Sequence, residues 1–349
     1  MNDPRTRLLA LALQRASFLS AEERLRLWDL VDDPTRLSVL SLRDLEALVG
    51  RRLEGRRWDP QSLLGRAEED AVLLERLGAR FIHHDESDYP PLLRETAQPP
   101  FGLYVRGRML RSDLPSVSIV GTRLPTGRGL ETARSLSREL ASAGLPIVSG
   151  LARGIDAAAH RGALDARDAG HATGITCAVL PCGVERAYPP SNRGLAAAII
   201  DSGGLLLSEY PPGTEIHKYR FPERNRIIAG MARAVIVVEA PIGSGALITA
   251  GEALGEGRDL WVAAACLGGP RSAGIDALAA EGAPRLGQAA ELLADWGIAA
   301  APQGQRRRGT EAEPSGSAPG SLNEGRRLAA SLGAELNLGS ELRERALSG

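Results

Sequence analysis

The sequence predicts an α/β protein whose main body is a doubly wound, mostly parallel sheet. Three observations carry this. Between about residues 116 and 298, short apolar runs (SVSIVG, LPIVSG, TCAVL, GGLLLSE, RAVIVVEA, DLWVAAA) alternate with helical stretches (GRGLETARSLSRELASAG, RGIDAAAHRGALDA, NRGLAAAIID, ERNRIIAGMA, ALITAGEALGEG). The runs are near-continuously apolar, as expected of strands covered on both faces. Several lead into glycine-containing loops before the next helix, the strand–turn–helix order of a Rossmann-like domain. In such sheets ligands bind beyond the carboxyl ends of the strands, so the strand-to-helix loops hold the candidate site.

The preceding chain reads differently. LLALALQRASF, AEERLRLWDLV and SLRDLEALVG place apolar residues at three- and four-residue spacing, so residues 1–70 are expected to form a small helical domain. Ser20 and Ser41 stand where helix N-caps are expected. Residues 71–115 read as an extension packing on the core: a helix through AVLLERLG, a strand at RFIHH, then a segment punctuated by prolines as far as GLYVRG. His83 and His84 are adjacent, so in a strand they point to opposite faces and are not read as ligands. After the Rossmann-like core at 116–298, residues 299–320 have the Pro, Gly, Ser and charge content of a disordered linker. The last stretch, 321–349, opens with the capping-box pattern Ser321–Glu324 and is expected to be a short helical tail.

Composition narrows the function classes. A chain of 349 residues suggests two to three folded units, and 43% hydrophobic with 24% charged residues is ordinary for globular domains. The net charge of −1 rules out a polycation, so nucleic-acid affinity would have to come from a local patch. Lys218 is the single lysine, which leaves nearly all phosphate contacts to arginine. Cys177, Cys182 and Cys266 form no CxxC pair, which argues against a disulfide framework or structural zinc and for a reducing compartment. There is no long apolar span and no recognisable signal sequence, so a cytoplasmic protein without membrane contact is expected.

The loops carry the specific signals. Gly121-Thr122-Arg123 follows the first core strand and a helix starts near Gly127, a turn suited to an anion or to a purely structural role. It is not GxGxxG, and the second strand ends in Ser149-Gly150 instead of an acidic residue, which disfavours a dinucleotide. Arg153 and Gly154 follow in the same loop. Asp156 and His160 lie four apart on the next helix; they are compatible with a proton-transfer or metal pair, but are read as an aspartate satisfying backbone donors and a hydrogen-bonded histidine. In the segment from Glu215 to Gly230, Lys218, Arg220, Arg224 and Arg226 are interleaved with Tyr219 and Phe221, a pattern suited to single-stranded nucleic acid, where cations hold phosphates and rings stack on bases. Gly243-Ser244-Gly245 forms a second glycine-rich loop before a helix. No P-loop, GxSxG elbow or nucleophile–base–orienter set is present.

Together these motifs resemble the DprA/Smf DNA-processing family. The resemblance rests on IVGTR (119–123), VSGLARGIDAAAH (148–160), AVLPCGVERAYPPSN (178–192), SEYPPG (208–213), FPERNRIIAG (221–230) and VVEAPIGSGALITAGEAL (237–254), and runs over about residues 70 to 290. It implies a non-enzymatic, cytoplasmic homodimer that needs no cofactor and binds single-stranded DNA. Such proteins protect incoming strands, displace single-strand-binding protein and load the RecA recombinase during natural transformation. The residues it implies for the nucleic-acid site are Gly121, Thr122, Arg123, Ser149, Gly150, Arg153, Gly154, Lys218, Phe221, Arg224, Asn225, Arg226, Ser244 and Gly245. It also implies an N-terminal region like a sterile alpha motif or helix-hairpin-helix.

The chain departs from the family pattern at Ala264–Gly269, where VPG is usual, and residues 321–349 are about half the length of the winged-helix domain many members carry. The alternative function is a nucleoside-monophosphate phosphoribohydrolase of the lysine decarboxylase-like group. Its PGGxGTxxE loop is degraded here to Pro241–Glu252, with Glu252 well past the required spacing.

Overall fold

The computed structural model describes residues 3–55, 57–110, 115–169 and 176–298. The expected linker and tail lie outside these residues. Five helices open the chain: α1 (Pro4–Arg15), α2 (Ala21–Leu30), α3 (Pro34–Val39), α4 (Leu42–Val49) and α5 (Pro60–Arg76). Their starts follow from local chemistry. Asp3 accepts from the Thr6 amide ahead of Pro4, and Ser20 and Ser41 form capping boxes with Glu23 and Asp44. The helices share a core of Leu9, Leu11, Leu13, Leu27, Leu37, Leu45, Leu53 and Leu74, which continues onto Phe81, Phe101 and Tyr104 of the sheet. The division expected at residue 70 falls inside α5, because the Pro60 start and the apolar spacing make one helix of a stretch read above as two segments.

The sheet has nine strands among the described residues: β1 (Ala79–His83), β2 (Gly102–Gly107), β3 (Val117–Val120), β4 (Ile147–Ser149), β5 (Thr176–Val179), β6 (Leu205–Ser208), β7 (Ala234–Val237), β8 (Asp259–Ala263) and β9 (Arg285–Leu286). Their order is β1-β2-β6-β5-β4-β3-β7-β8-β9. From β6 to β9 all neighbours are parallel; β2 runs antiparallel to β6, and β1 antiparallel to β2. The mostly parallel, doubly wound sheet is therefore as expected. The segment 71–115 does not merely pack on it: β1 and β2 lengthen the sheet itself, because Leu103, Tyr104 and Val105 after the proline cluster are buried strand residues. A four-residue helix, α6 (Pro91–Arg94), joins them.

The crossover helices are α7 (Gly127–Ser142), α8 (Ile155–Asp168), α9 (Arg193–Asp201), α10 (Arg220–Gly230) and α11 (Gly245–Gly255); α12 (Ala273–Ala280) and α13 (Ala289–Asp295) follow β8 and β9. β3, β5 and β7 are buried along their whole length, as apolar strands between two helical layers must be. Strand order reverses between β3 and β7, since the chain winds outward from β3 on one side and from β7 on the other. The crevice at such a switch point is where the loops after β3, β4 and β7 meet.

Candidate nucleic-acid interface

The loop after β3 is tied to the loop after β7. The Thr122 amide donates to the Glu239 carbonyl at 2.7 Å, and the Glu239 carboxylate accepts from the amide and hydroxyl of Thr126 at 2.9 and 2.5 Å. Thr126 in turn caps α7 by accepting from the Gly129 amide. Glu239 is only 3% exposed, so it is a buried structural acceptor, and the sequence reading missed it. The signal was there: an acidic residue closing the apolar run VIVVEA must find donors nearby. On the other side of the switch, Ser244 caps α11 through the Ala246 amide, and Asn225 of α10 donates to the Gly245 carbonyl at 3.1 Å.

The loop after β4 turns under different constraints. Leu151 has φ 57° and Gly154 φ 82°, both left-handed. A side chain at Gly154 would press on the Thr122 carbonyl oxygen at 2.4 Å, so glycine is required there for close approach as well as for backbone freedom. Asp156 holds the loop by accepting from the amides of Gly150 and Ala152 at 3.1 and 3.3 Å. His160, fully buried, meets the Thr176 hydroxyl on β5 at 2.8 Å. Burial pushes the Asp156 carboxyl up and pulls the His160 imidazole down to about 3, with Arg224 adding to the latter. Both residues are spent on structure, as the blander sequence reading has it. Unlike α7 and α11, α8 and α10 begin without a side-chain cap.

The predicted site residues divide sharply. Arg123, Arg153 and Lys218 are exposed and, among the described residues, their side chains make no hydrogen bond or ion pair. The Arg123 guanidinium lies 5.0 Å from the centre of the Phe221 ring, and Tyr188 packs beside that ring at 5.7 Å. Gly121, Gly154, Phe221 and Ser244 are half-buried and Gly245 is exposed, and all follow the carboxyl ends of strands β3, β4, β6 and β7. The rest are drawn inward. Thr122, Ser149 and Gly150 are buried, and the Ser149 hydroxyl donates to the Ile119 carbonyl at 2.7 Å.

Arg224, Asn225 and Arg226 do not form the open basic patch that their spacing suggested. Arg224 is 4% exposed; its Nη1 donates to the Val179 carbonyl at 2.6 Å and lies 1.9 Å from where a Gly150 Cβ would sit. Burial lowers its guanidinium to about 10 against the opposing pull of Asp156. Asn225 is buried against α11, and Arg226 grips both carboxylate oxygens of Glu209 at 2.6 and 2.5 Å. The reason is helical periodicity. Once Arg220–Gly230 is a helix packed on the sheet, positions 224 and 225 turn toward β5 and α11. Lys218 and Tyr219 remain exposed; Arg220 bonds the Glu215 carbonyl and lies over the rings of Tyr210 and Tyr219.

The hydrolase alternative finds no matching geometry. Glu252 is seven residues into α11 from Gly245, about 10 Å along the axis at 1.5 Å per residue, and it lines a small cavity with Thr96, Gln98 and Arg226, away from the glycine loops. Among the described residues, no three His, Cys, Asp or Glu side chains come together to hold a metal, and no helix is long and apolar enough to cross a membrane.

Residues 80–297 match the DNA recombination-mediator protein A family. The Smf protein of Synechocystis sp. is 47% identical over 186 residues, 52% of this chain and 45% of that protein, so the chain spans less than half of that relative's length. The fold is similar to DNA processing protein A from Streptococcus pneumoniae, with 32% identity and a TM-score of 0.63 over 81% of this chain and 95% of that one. It is also similar to DNA processing protein A from Helicobacter pylori, described for its single-stranded DNA binding mode, with 29% identity and a TM-score of 0.53 over 62% of this chain and 95% of that one. With the strand order, the switch-point loops and a match over most of its length, the chain belongs to the DNA recombination-mediator protein A family, the DprA/Smf proteins.

Proposed function

We propose that this protein binds single-stranded DNA along the carboxyl edge of its sheet and acts in DNA processing without catalysing a reaction or using a cofactor. The observation that carries the reading is the set of cations Arg123, Arg153 and Lys218, exposed around glycine-lined loops with no side-chain hydrogen bond or ion pair among the described residues, and with Arg123 over the half-buried ring of Phe221. Free cations suit phosphates, and an accessible aromatic edge suits an unpaired base. Gly121, Thr122, Ser149, Gly150, Gly154, Ser244 and Gly245 shape the loops so that backbone amides can approach the strand, while Arg224, Asn225 and Arg226 support the site from below. The likeness to a protein described by its single-stranded DNA binding mode supports the substrate class.

The reading extends to the family's wider role. In it, the protein is a cytoplasmic homodimer that protects incoming strands, displaces single-strand-binding protein and loads the RecA recombinase in natural transformation. Two aligned sites would raise affinity by avidity. The helical 1–70 region, the 71–115 extension and the 116–298 core then serve as one DNA-handling unit, followed by a linker and a tail.

The test is fluorescence anisotropy of a labelled oligo-dT of about 35 nucleotides across a salt series, a length that covers several of the ~4–16-nucleotide sites typical of single-strand binders. Binding should weaken with salt by a log–log slope of about −0.7 per phosphate neutralised. Absence of binding at low salt would overturn the reading.

A further inference from the structure

The chain between β6 and α10 carries Lys218 and leads to Phe221, yet Glu209–Tyr219 has no regular secondary structure. Its first half is gripped by helix α1, which belongs to the other end of the sequence. Gln14, 2% exposed, donates its side-chain amide to the Glu209 carbonyl at 2.5 Å. Arg15 donates to the Pro212 carbonyl at 3.0 Å while its guanidinium is fixed on both oxygens of Asp70 at 2.7 and 2.5 Å. The Gln14 amide is itself oriented, because Arg24 donates to its oxygen at 3.4 Å and is anchored by the carbonyls of Ala16 and Leu19. Beyond these points the loop is held at the Gly213 amide by Glu185, and Glu209 is clamped by Arg226 of α10.

From these contacts we infer that Gln14 and Arg15 are positioning residues for the nucleic-acid site, and that α1 pre-orders the loop that presents Lys218. This rests on the single-stranded DNA reading above. With the Glu209 and Pro212 carbonyls fixed, few residues remain between the last tether and Lys218, so little conformational freedom is left to lose when a phosphate binds. The N-terminal helices then do more than cover one end of the sheet: they supply part of the site's rigidity without touching the ligand.

The test uses the full chain carrying Gln14→Met, which keeps the side-chain volume and deletes the donor. Gln14→Asn, which withdraws the amide by one methylene, is the second variant in case the first does not fold. Affinity for the labelled oligo-dT should fall about fivefold, as expected when a loop must be ordered on binding. The salt slope should stay that of the wild type, because no phosphate contact is removed. Adding Gln14→Met to Lys218→Ala should cost nothing more than Lys218→Ala alone, since the glutamine acts through the lysine. In the free protein, amide hydrogen exchange should quicken at 209–219 and not elsewhere. Wild-type affinity in the Gln14 variants, an additive double mutant, or unchanged exchange at 209–219 would each overturn the inference. If the wild type binds no single strand at all, the function proposed above fails, while the exchange measurement still decides whether α1 orders the loop.

Discussion

The two halves of the segment from Lys218 to Arg226 each carry two basic residues and have opposite fates. Lys218 stands free at the sheet edge and Phe221 shows its ring beside Arg123, whereas Arg224 is buried on the Val179 carbonyl and Arg226 is locked on Glu209. The difference comes from where α10 begins. Residues up to and including its first turn, Phe221 among them, face the crevice; Arg224 and Asn225, further along, are committed to packing. A run of charge interleaved with aromatics therefore marks the neighbourhood of a site, while the helix phase decides which charges remain available to a ligand.

The comparison breaks most visibly at Arg224. Arg224→Ala removes the donor from the Val179 carbonyl, takes from Asp156 the stronger of the two cations acting on it and opens a cavity beneath Gly150. The expected loss is about 3 kcal/mol. At roughly 2–4 °C per kcal/mol for domains of about 150–250 residues, and less for a longer chain, the melting temperature should drop by about 6 °C. A variant that melts with the wild type would mean that Arg224 is a surface ligand group after all. Gly150→Ala attacks the same packing from the other side: the added carbon would meet the Arg224 guanidinium at 1.9 Å, so the arginine or the loop must shift. A cost of about 2 kcal/mol is expected, read as a lowered midpoint in urea at unchanged slope.

Arg123→Ala/Lys218→Ala should behave in the reverse manner. Both side chains are exposed and unpaired among the described residues, so thermal stability should stay within about 0.5 kcal/mol of the wild type. Oligo-dT affinity should fall at least about tenfold near 150 mM salt, and the log–log salt slope should shrink by about 1.4, for two phosphates. An early-melting double variant, or one that binds normally, would remove these residues from the site.

How much of this was legible depends on which kind of signal each region carries. The β3 to β8 sequence of strands and the crossover helices were readable because buried parallel strands leave short apolar runs, and their length and flanking glycines separate them from buried helix. β2 was not, since its GLYVRG follows prolines that argue for an irregular segment, and its pairing with β1 and β6 makes it a strand. β9 was missed because a two-residue strand, Arg285–Leu286, has no periodicity to detect, and α12 and α13 because helices of eight and seven residues show barely two turns of it. In the site, glycines and strand ends were found by spacing, but burial of Arg224 and Asn225 depends on contacts with β5 and α11, segments distant in sequence. Glu239 was overlooked because its donors, the amide and hydroxyl of Thr126, lie 113 positions away.

The sharpest form of the comparison sets two single arginines against each other. Arg153 is exposed on the loop after β4 with no partner among the described residues; Arg226 has its guanidinium on Glu209 and on the Gln98 carbonyl. Each carries one charge, so bulk electrostatics would predict equal effects when either is replaced by alanine. The geometry predicts unequal ones. Arg153→Ala should weaken oligo-dT binding about threefold and reduce the salt slope by about 0.7, the share of one phosphate, with stability unchanged. Arg226→Ala should leave the salt slope alone, because its charge is already neutralised inside the protein; its effect should appear as lost stability, with the Glu209 carboxylate left half-buried without its cation. Equal salt slopes in the two variants would mean that the ion pair with Glu209 opens to receive the strand, and that the inner half of the segment belongs to the binding surface as much as the outer.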